Sequence, residues 1–172
     1  MALLLPAAAH ATGHNADWSG GFSRASGSTL WGVHSVFAGT MPKPNNPKNL
    51  SLLADFSLYH GSEDGRDQTL IGTMGGGRWT FAPRPHGGKQ VETNQKVLPS
   101  VHALLGFMKT KGGDTDIASA VGGAVDIMLG DHRSSEAGLG VRVMVDYVVR
   151  HGDAHNLTRA SVEMVWQFAK RH

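Results

Sequence analysis

Between Gly138 and Arg150 (GLGVRVMVDYVVR) greasy and charged positions alternate. Leu139, Val141, Val143, Val145, Tyr147 and Val149 are odd; Arg142, Asp146 and Arg150 are even. A period of two is that of a β-strand, whose successive side chains point to opposite faces. The same reading predicts eight strands: Ala16–Arg24, Thr29–Gly39, Asn49–His60, Gln68–Phe81, Lys96–Thr110, Asp116–Leu129, Gly138–Arg150 and His155–Phe168. Turn-forming stretches separate them, among them TMPKPNNPK, GSEDGRD, KGGDT and GDHRSSE. Helical periodicity is almost absent.

Strands in succession with no intervening helix predict an antiparallel meander, because parallel pairing needs long crossovers. Closure into an up-and-down barrel removes the exposed edges. The expected fold is therefore all-β, an eight-stranded antiparallel up-and-down transmembrane β-barrel. Its strands supply the roughly nine to eleven tilted residues that crossing a bilayer requires.

The faces set the orientation. In the third strand Leu50, Leu52, Ala54, Phe56 and Leu58 oppose Ser51, Leu53, Asp55, Ser57 and Tyr59. In the sixth, Ile117, Val121, Val125 and Ile127 oppose Ala118, Ala120, Gly122, Ala124 and Asp126. The polar face carries no coat of lysine and glutamate. It is glycine and alanine interrupted by single charged or hydrogen-bonding residues, which suits a narrow lumen, while the aliphatic face suits lipid. Trp18, Trp31, Trp79, Tyr147, Trp166 and Phe168 share the outward parity, as interfacial aromatic girdles require.

The last hairpin fixes a register. With HGDA as its loop, Asp146 stands opposite Arg159 and Arg142 opposite Glu163, with Met144 facing Ser161 between them. Opposite charges across strands are favourable, and a slip of one residue would turn every side chain over. Asp55, Arg78 and Asp126 extend this set into an expected internal ion-pair network of structural character. Arg78, Arg142 and Arg159 are each expected to touch an inward carboxylate.

Composition narrows the function. The chain has 172 residues and a net charge of +2 with no basic cluster, which argues against a nucleic-acid binder. Charged residues make up 17%, below the usual quarter. Cysteine is absent, which excludes disulfides and thiol chemistry. No apolar run is long enough for a transmembrane helix. MALLLPAAAHA resembles the end of a secretory signal peptide, with Ala9-His10-Ala11 as a cleavage site. Residues 1–15 are set apart as that remnant or a disordered tail, 16–168 form the barrel, and 169–172 a short tail.

No phosphate loop or metal-ligand spacing appears, so no catalytic, cofactor or metal residue is expected. TMGGGR lacks the lysine and following helix of a phosphate loop. His34 and His102 face inward on different strands and could in principle meet, where a hydrogen-bonded pair is favoured over a metal site. His86, His132, His151, His155 and His172 are read as solvated. Ser35 faces outward with no outward histidine at its height, which disfavours a lipid hydrolase. A soluble lipocalin-like barrel remains the main alternative, and it requires the opposite polarity.

Three segments carry a family resemblance. AVGGAVDIML, GVRVMVDYVVR and NLTRASVEMVWQF resemble the last three strands of small bacterial outer-membrane β-barrel proteins of the outer membrane protein A type. Gly122, Gly123 and Asp126 match a Gly-Gly-x-x-Asp strand. Arg142, Asp146 and Tyr147 match an Arg-x-x-x-Asp-Tyr strand, and Asn156, Arg159 and Phe168 match the closing strand. GGGRWTF and KVLPSVHALLGF are similar to the fourth and fifth strands. The family's closing aromatic is usually the last residue, whereas here AKRH follows Phe168. The resemblance implies a monomeric integral protein of a Gram-negative-type outer membrane, porin-like in label but plugged by side chains. Its implied partners are outer-membrane lipids and, during insertion, the barrel-assembly machinery, with no cofactor and no nucleic acid.

Overall fold

A computed structural model describes residues 16–26, 30–40, 50–63, 66–81, 97–129, 138–152 and 156–168. These form β1 (Ala16–Ser26), β2 (Leu30–Thr40), β3 (Leu50–Glu63), β4 (Arg66–Thr80), β5 (Val97–Thr110), β6 (Thr115–Leu129), β7 (Gly138–His151) and β8 (Leu157–Phe168). Each strand pairs antiparallel with its sequence neighbour, and β1 also pairs with β8, closing the barrel. The signal-like segment, the tail after Phe168, and His86, His132, His155 and His172 lie outside the described residues.

Every strand end falls within three residues of its predicted place, and the departures have a physical cause. The β3–β4 ladder continues through Gly61↔Gln68, Ser62↔Asp67 and Glu63↔Arg66, so most of the expected GSEDGRD loop is paired strand. The β5–β6 turn closes on Gly112, whose φ of 79° is the left-handed conformation that glycine adopts without steric cost.

Burial alternates residue by residue. Asp55, Arg142, Arg159 and Glu163 are at most 1% exposed, whereas Phe22 is 78%, Leu105 63% and Val121 61% exposed. The barrel is polar within and aliphatic without, the reverse of a soluble barrel. Its two ends differ. Ala16 and Phe168 mark the terminus end, and the short β1–β2, β3–β4, β5–β6 and β7–β8 connections mark the loop end.

The inner face is less uniformly small and polar than the sequence suggests. Toward the loop end Leu30, Tyr59, Leu70, Met108, Val148 and Leu157 are buried inside the barrel and form an apolar layer. Periodicity assigns these residues to the inward face, but it does not reveal that they cluster at one height.

Candidate functional site

The inward polar side chains join into one chain of hydrogen bonds. At the terminus end Arg78 pairs with Asp17. Asp17 Oδ1 also accepts from Arg142 Nη2 at 3.2 Å. Arg142 grips Asp126 with Nε at 2.6 Å and Nη2 at 2.9 Å, a two-pronged contact that suits the planar guanidinium. Its Nη1 donates to Ser19 Oγ at 2.9 Å, and Ser19 donates onward to Glu163 Oε2 at 2.5 Å. Glu163 meets His34 Nδ1, and His34 Nε2 lies 2.7 Å from Asp55 Oδ2. Arg159 bridges Asp55 (Nη2 to Oδ2, 2.7 Å) to Asp146 (Nε to Oδ2, 2.8 Å). His102 Nε2 ends the run 2.6 Å from Asp146 Oδ1.

Glycine makes two of these contacts, and a third between Ser23 and Tyr59, reachable. In the ladder Gly21 stands between His34 on β2 and Glu163 on β8. Gly122 stands between His102 on β5 and Asp146 on β7. Gly32 stands between Ser23 on β1 and Tyr59 on β3, whose hydroxyls are 3.0 Å apart. In each case two side chains meet across an intervening strand, over a residue with no side chain of its own. A Cβ at Gly21 or Gly32 would come within about 2 Å of a neighbouring carbonyl oxygen: 2.0 Å from Val162 O at Gly21 and 1.9 Å from Leu58 O at Gly32.

The network also shows a charge balance. It holds Arg78, Arg142 and Arg159 against Asp17, Asp55, Asp126, Asp146 and Glu163. Carboxylates exceed arginines by two, and the remaining members are His34 and His102. His34 turns each ring nitrogen to a carboxylate. A neutral imidazole donates from only one nitrogen, so the doubly protonated ring satisfies both bonds. A charged His34 lowers the excess of carboxylates to one, and His102 Nε2 lies against the carboxylate of Asp146.

All seven residues of the expected network face the lumen, but the partners are redistributed. Asp146 bonds Arg159 as the register suggests. Arg142 stands opposite Glu163 in the ladder yet bonds Asp126, its neighbour on the other side, and reaches Glu163 only through Ser19. Arg78 bonds Asp17, outside the expected set. His34 and His102 do not bond each other; each is taken by carboxylates, and Arg159 with its two aspartates connects them. Asp17, Ser19 and the two histidines are the network members that the charge pattern leaves out. A second pair lies nearer the loop end, where Arg150 Nη2 is 2.6 Å from Asp116 Oδ2 and also reaches Thr110.

A cavity of about 10 Å³ lies among Val36, Asp55, Arg78, His102, Arg142 and Met144. That is roughly the least volume that holds one water molecule.

Among the described residues the outer wall carries few polar groups. Ser35 accepts from Trp18 Nε1 at 2.9 Å and donates to Ser19 O, so its hydroxyl is engaged. His151 ends β7 on the outer side and lies 3.0 Å from Ser119 Oγ, which corrects its reading as a plain solvated loop residue. No described carboxylate bonds His151. At the terminus end Trp18 stacks on Trp166 with ring centres 4.7 Å apart and on Phe37 at 6.2 Å.

No protein-family model and no curated protein sequence matches the chain. Solved structures do. Neisserial surface protein A aligns over 92% of this chain and 98% of its own, at TM-score 0.58 and 12% identity. The N-terminal β-barrel domain of OprF from Pseudomonas aeruginosa aligns over 90% and 97%, at 0.52 and 11%. The Yersinia pestis outer membrane protein Ail, in a phospholipid bilayer nanodisc, aligns over 90% and 99%, at 0.52 and 12%. This chain has the fold of an eight-stranded outer-membrane β-barrel. At such low identity the likeness concerns the fold, and the residues of the lumen must be read on their own chemistry.

Proposed function

We propose that the protein is an integral outer-membrane barrel with a structural role in the cell envelope, monomeric, inserted by the barrel-assembly machinery and lacking a wide pore. The observation that carries this reading is the inversion of polarity. Aliphatic side chains form the outer wall, while Arg142, Arg159, Asp55, Asp146 and Glu163 are sealed within. In water such a wall would be an exposed apolar surface far larger than soluble proteins carry. In a bilayer it is the expected lipid contact, and the closed ladder satisfies the backbone.

The ion-pair network and the apolar layer near the loop end support a plugged lumen. Eight strands enclose only enough space for side chains. No enzymatic role is assigned: Ser35 is engaged, and the Ser119–His151 pair lacks a bonded carboxylate to orient the imidazole.

Expression with a functional export signal, followed by fractionation and gel electrophoresis with and without boiling, tests the reading. The expected result is recovery in the outer membrane, with the unboiled band migrating differently from the boiled one. In planar bilayers the purified protein is expected to give no large steady conductance. Recovery as a soluble, detergent-independent protein would overturn the membrane assignment, and a large stable conductance would overturn the plugged lumen.

A further inference from the structure

The outer wall is asymmetric from end to end. Every charged side chain that a described strand presents outward lies toward the loop end: Arg24 on β1, Asp67 on β4 and Lys109 on β5. Lys111 follows β5 in the exposed turn. At the terminus end the wall is aliphatic and aromatic, with Trp18, Phe37, Phe56 and Trp166 in contact.

The cations at the loop end are grouped. The ladder sets Arg24 beside Trp31, Trp31 beside His60, and His60 beside Thr69. The Lys111 amide donates to Thr69 O at 2.8 Å. Arg24, Trp31, His60, Thr69 and Lys111 therefore lie side by side across β1 to the end of β5. The Arg24 guanidinium sits over Trp31, 5.1 Å from the ring centre, which holds it against the wall with its N–H edge available. His60 and Thr69 share a 3.1 Å hydrogen bond. No described carboxylate bonds Arg24, Lys109 or Lys111. Among the described side chains the anions of this rim are Asp67 and, in the β5–β6 turn, Asp114, against Arg24, Lys109 and Lys111, so the rim is net basic by one charge.

We infer that this rim is a binding belt for anionic, phosphate-bearing lipid headgroups, whose acyl chains would lie on the aliphatic wall below. The inference rests on the membrane-spanning reading. Long basic side chains at a bilayer boundary extend toward the headgroups, and each is attracted to anionic lipid. Arginine matches phosphate in a two-pronged contact, and tryptophan suits the same interfacial depth. A hydrocarbon-facing wall that needed only apolar contact would have no use for this row. The described strands present no outward charge at the terminus end.

The test uses the barrel in phosphatidylcholine nanodiscs with spin-labelled phosphatidylglycerol or spin-labelled phosphatidylcholine as probe. Electron spin resonance reports the fraction of each lipid held at the protein surface. Phosphatidylglycerol is expected to be preferred about fivefold at a single basic contact, and added salt is expected to weaken that preference. The triple variant R24Q/K109Q/K111Q, still closed by gel mobility, is expected to lose it. Equal association of both lipids with the unaltered barrel, or a preference that survives the triple substitution, would overturn the belt. Failure to enter nanodiscs at all would instead strike at the membrane-spanning reading on which it rests.

Discussion

On β7, Arg142 and Val143 are adjacent, yet one is 1% exposed among Asp126, Asp17 and Ser19 and the other is 45% exposed on the outer wall. The lumen is specific: each charge has named partners, and the glycines between them leave room for the bonds to cross. The wall is permissive: Val, Leu, Ile and Phe follow one another with little pairing, as the proposed contact with disordered hydrocarbon would allow. A substitution should therefore act through lost partners inside and through polarity alone outside. That difference is measurable.

The largest loss is expected inside. Arg159→Met removes the cation shared by Asp55 and Asp146 and leaves each buried carboxylate with a histidine as its remaining partner. Breaking a buried pair by removing one partner costs about 3–5 kcal/mol. Urea titration of the barrel in micelles should show a midpoint lowered accordingly, and adding D55N and D146N to the same chain should restore part of it. A single-site loss below about 1 kcal/mol would be in the range of exposed pairs and would mean that water reaches the network.

A somewhat smaller loss is expected on the wall, and there it should follow polarity rather than shape. Val145→Arg places a charge near mid-strand on the aliphatic face, where a transmembrane barrel pays about 2–4 kcal/mol for it. Val145→Leu should change the midpoint little, because nothing interlocks with the side chain. If Val145→Arg were as harmless in a bilayer as Val145→Leu, residue 145 would not be facing hydrocarbon.

Lumen and wall also differed in how readily the sequence revealed them. Strand number, bounds and facing followed from a period of two over long segments, which a barrel preserves because each strand has one inward and one outward side. The β7–β8 register followed from loop length, down to Met144 opposite Ser161. Partner choice did not follow. Arg159 bonds Asp55, which lies on β3 and far away in sequence, because a long side chain in a narrow lumen can reach past its ladder neighbours. Arg142 had oppositely charged neighbours on both adjacent strands, and alternation cannot rank Asp126 against Glu163. On β1, Arg24 faces out and Asp17 faces in, so charge alone did not mark the lumen side. The overlooked signal was inward glycine: Gly21, Gly32 and Gly122 each lie between two side chains that bond across them.

That signal gives the finest test, on two consecutive residues. Gly122 points into the lumen, where an added Cβ would sit 2.0 Å from Asp146 Oδ1 and 2.5 Å from Val145 O. The backbone oxygen cannot move without disturbing the β6–β7 ladder, and Asp146 cannot move without releasing Arg159 or His102. Gly123 points outward, and its nearest such neighbour is Ser100 O at an ordinary 3.5 Å. Gly122→Ala is therefore expected to cost about 1–3 kcal/mol, the usual range for overpacking. Gly123→Ala is expected to be neutral or to stabilise by up to about 1 kcal/mol, since alanine narrows the unfolded ensemble. The two variants differ by one methyl group one residue apart, so composition, hydrophobicity and strand propensity cancel between them. Equal midpoints would mean that the lumen yields as easily as the lipid boundary, and the bond across Gly122 would then be incidental. Unequal midpoints in the expected order would locate the constraint at the crossing itself, where His102 reaches Asp146 only because nothing stands between them.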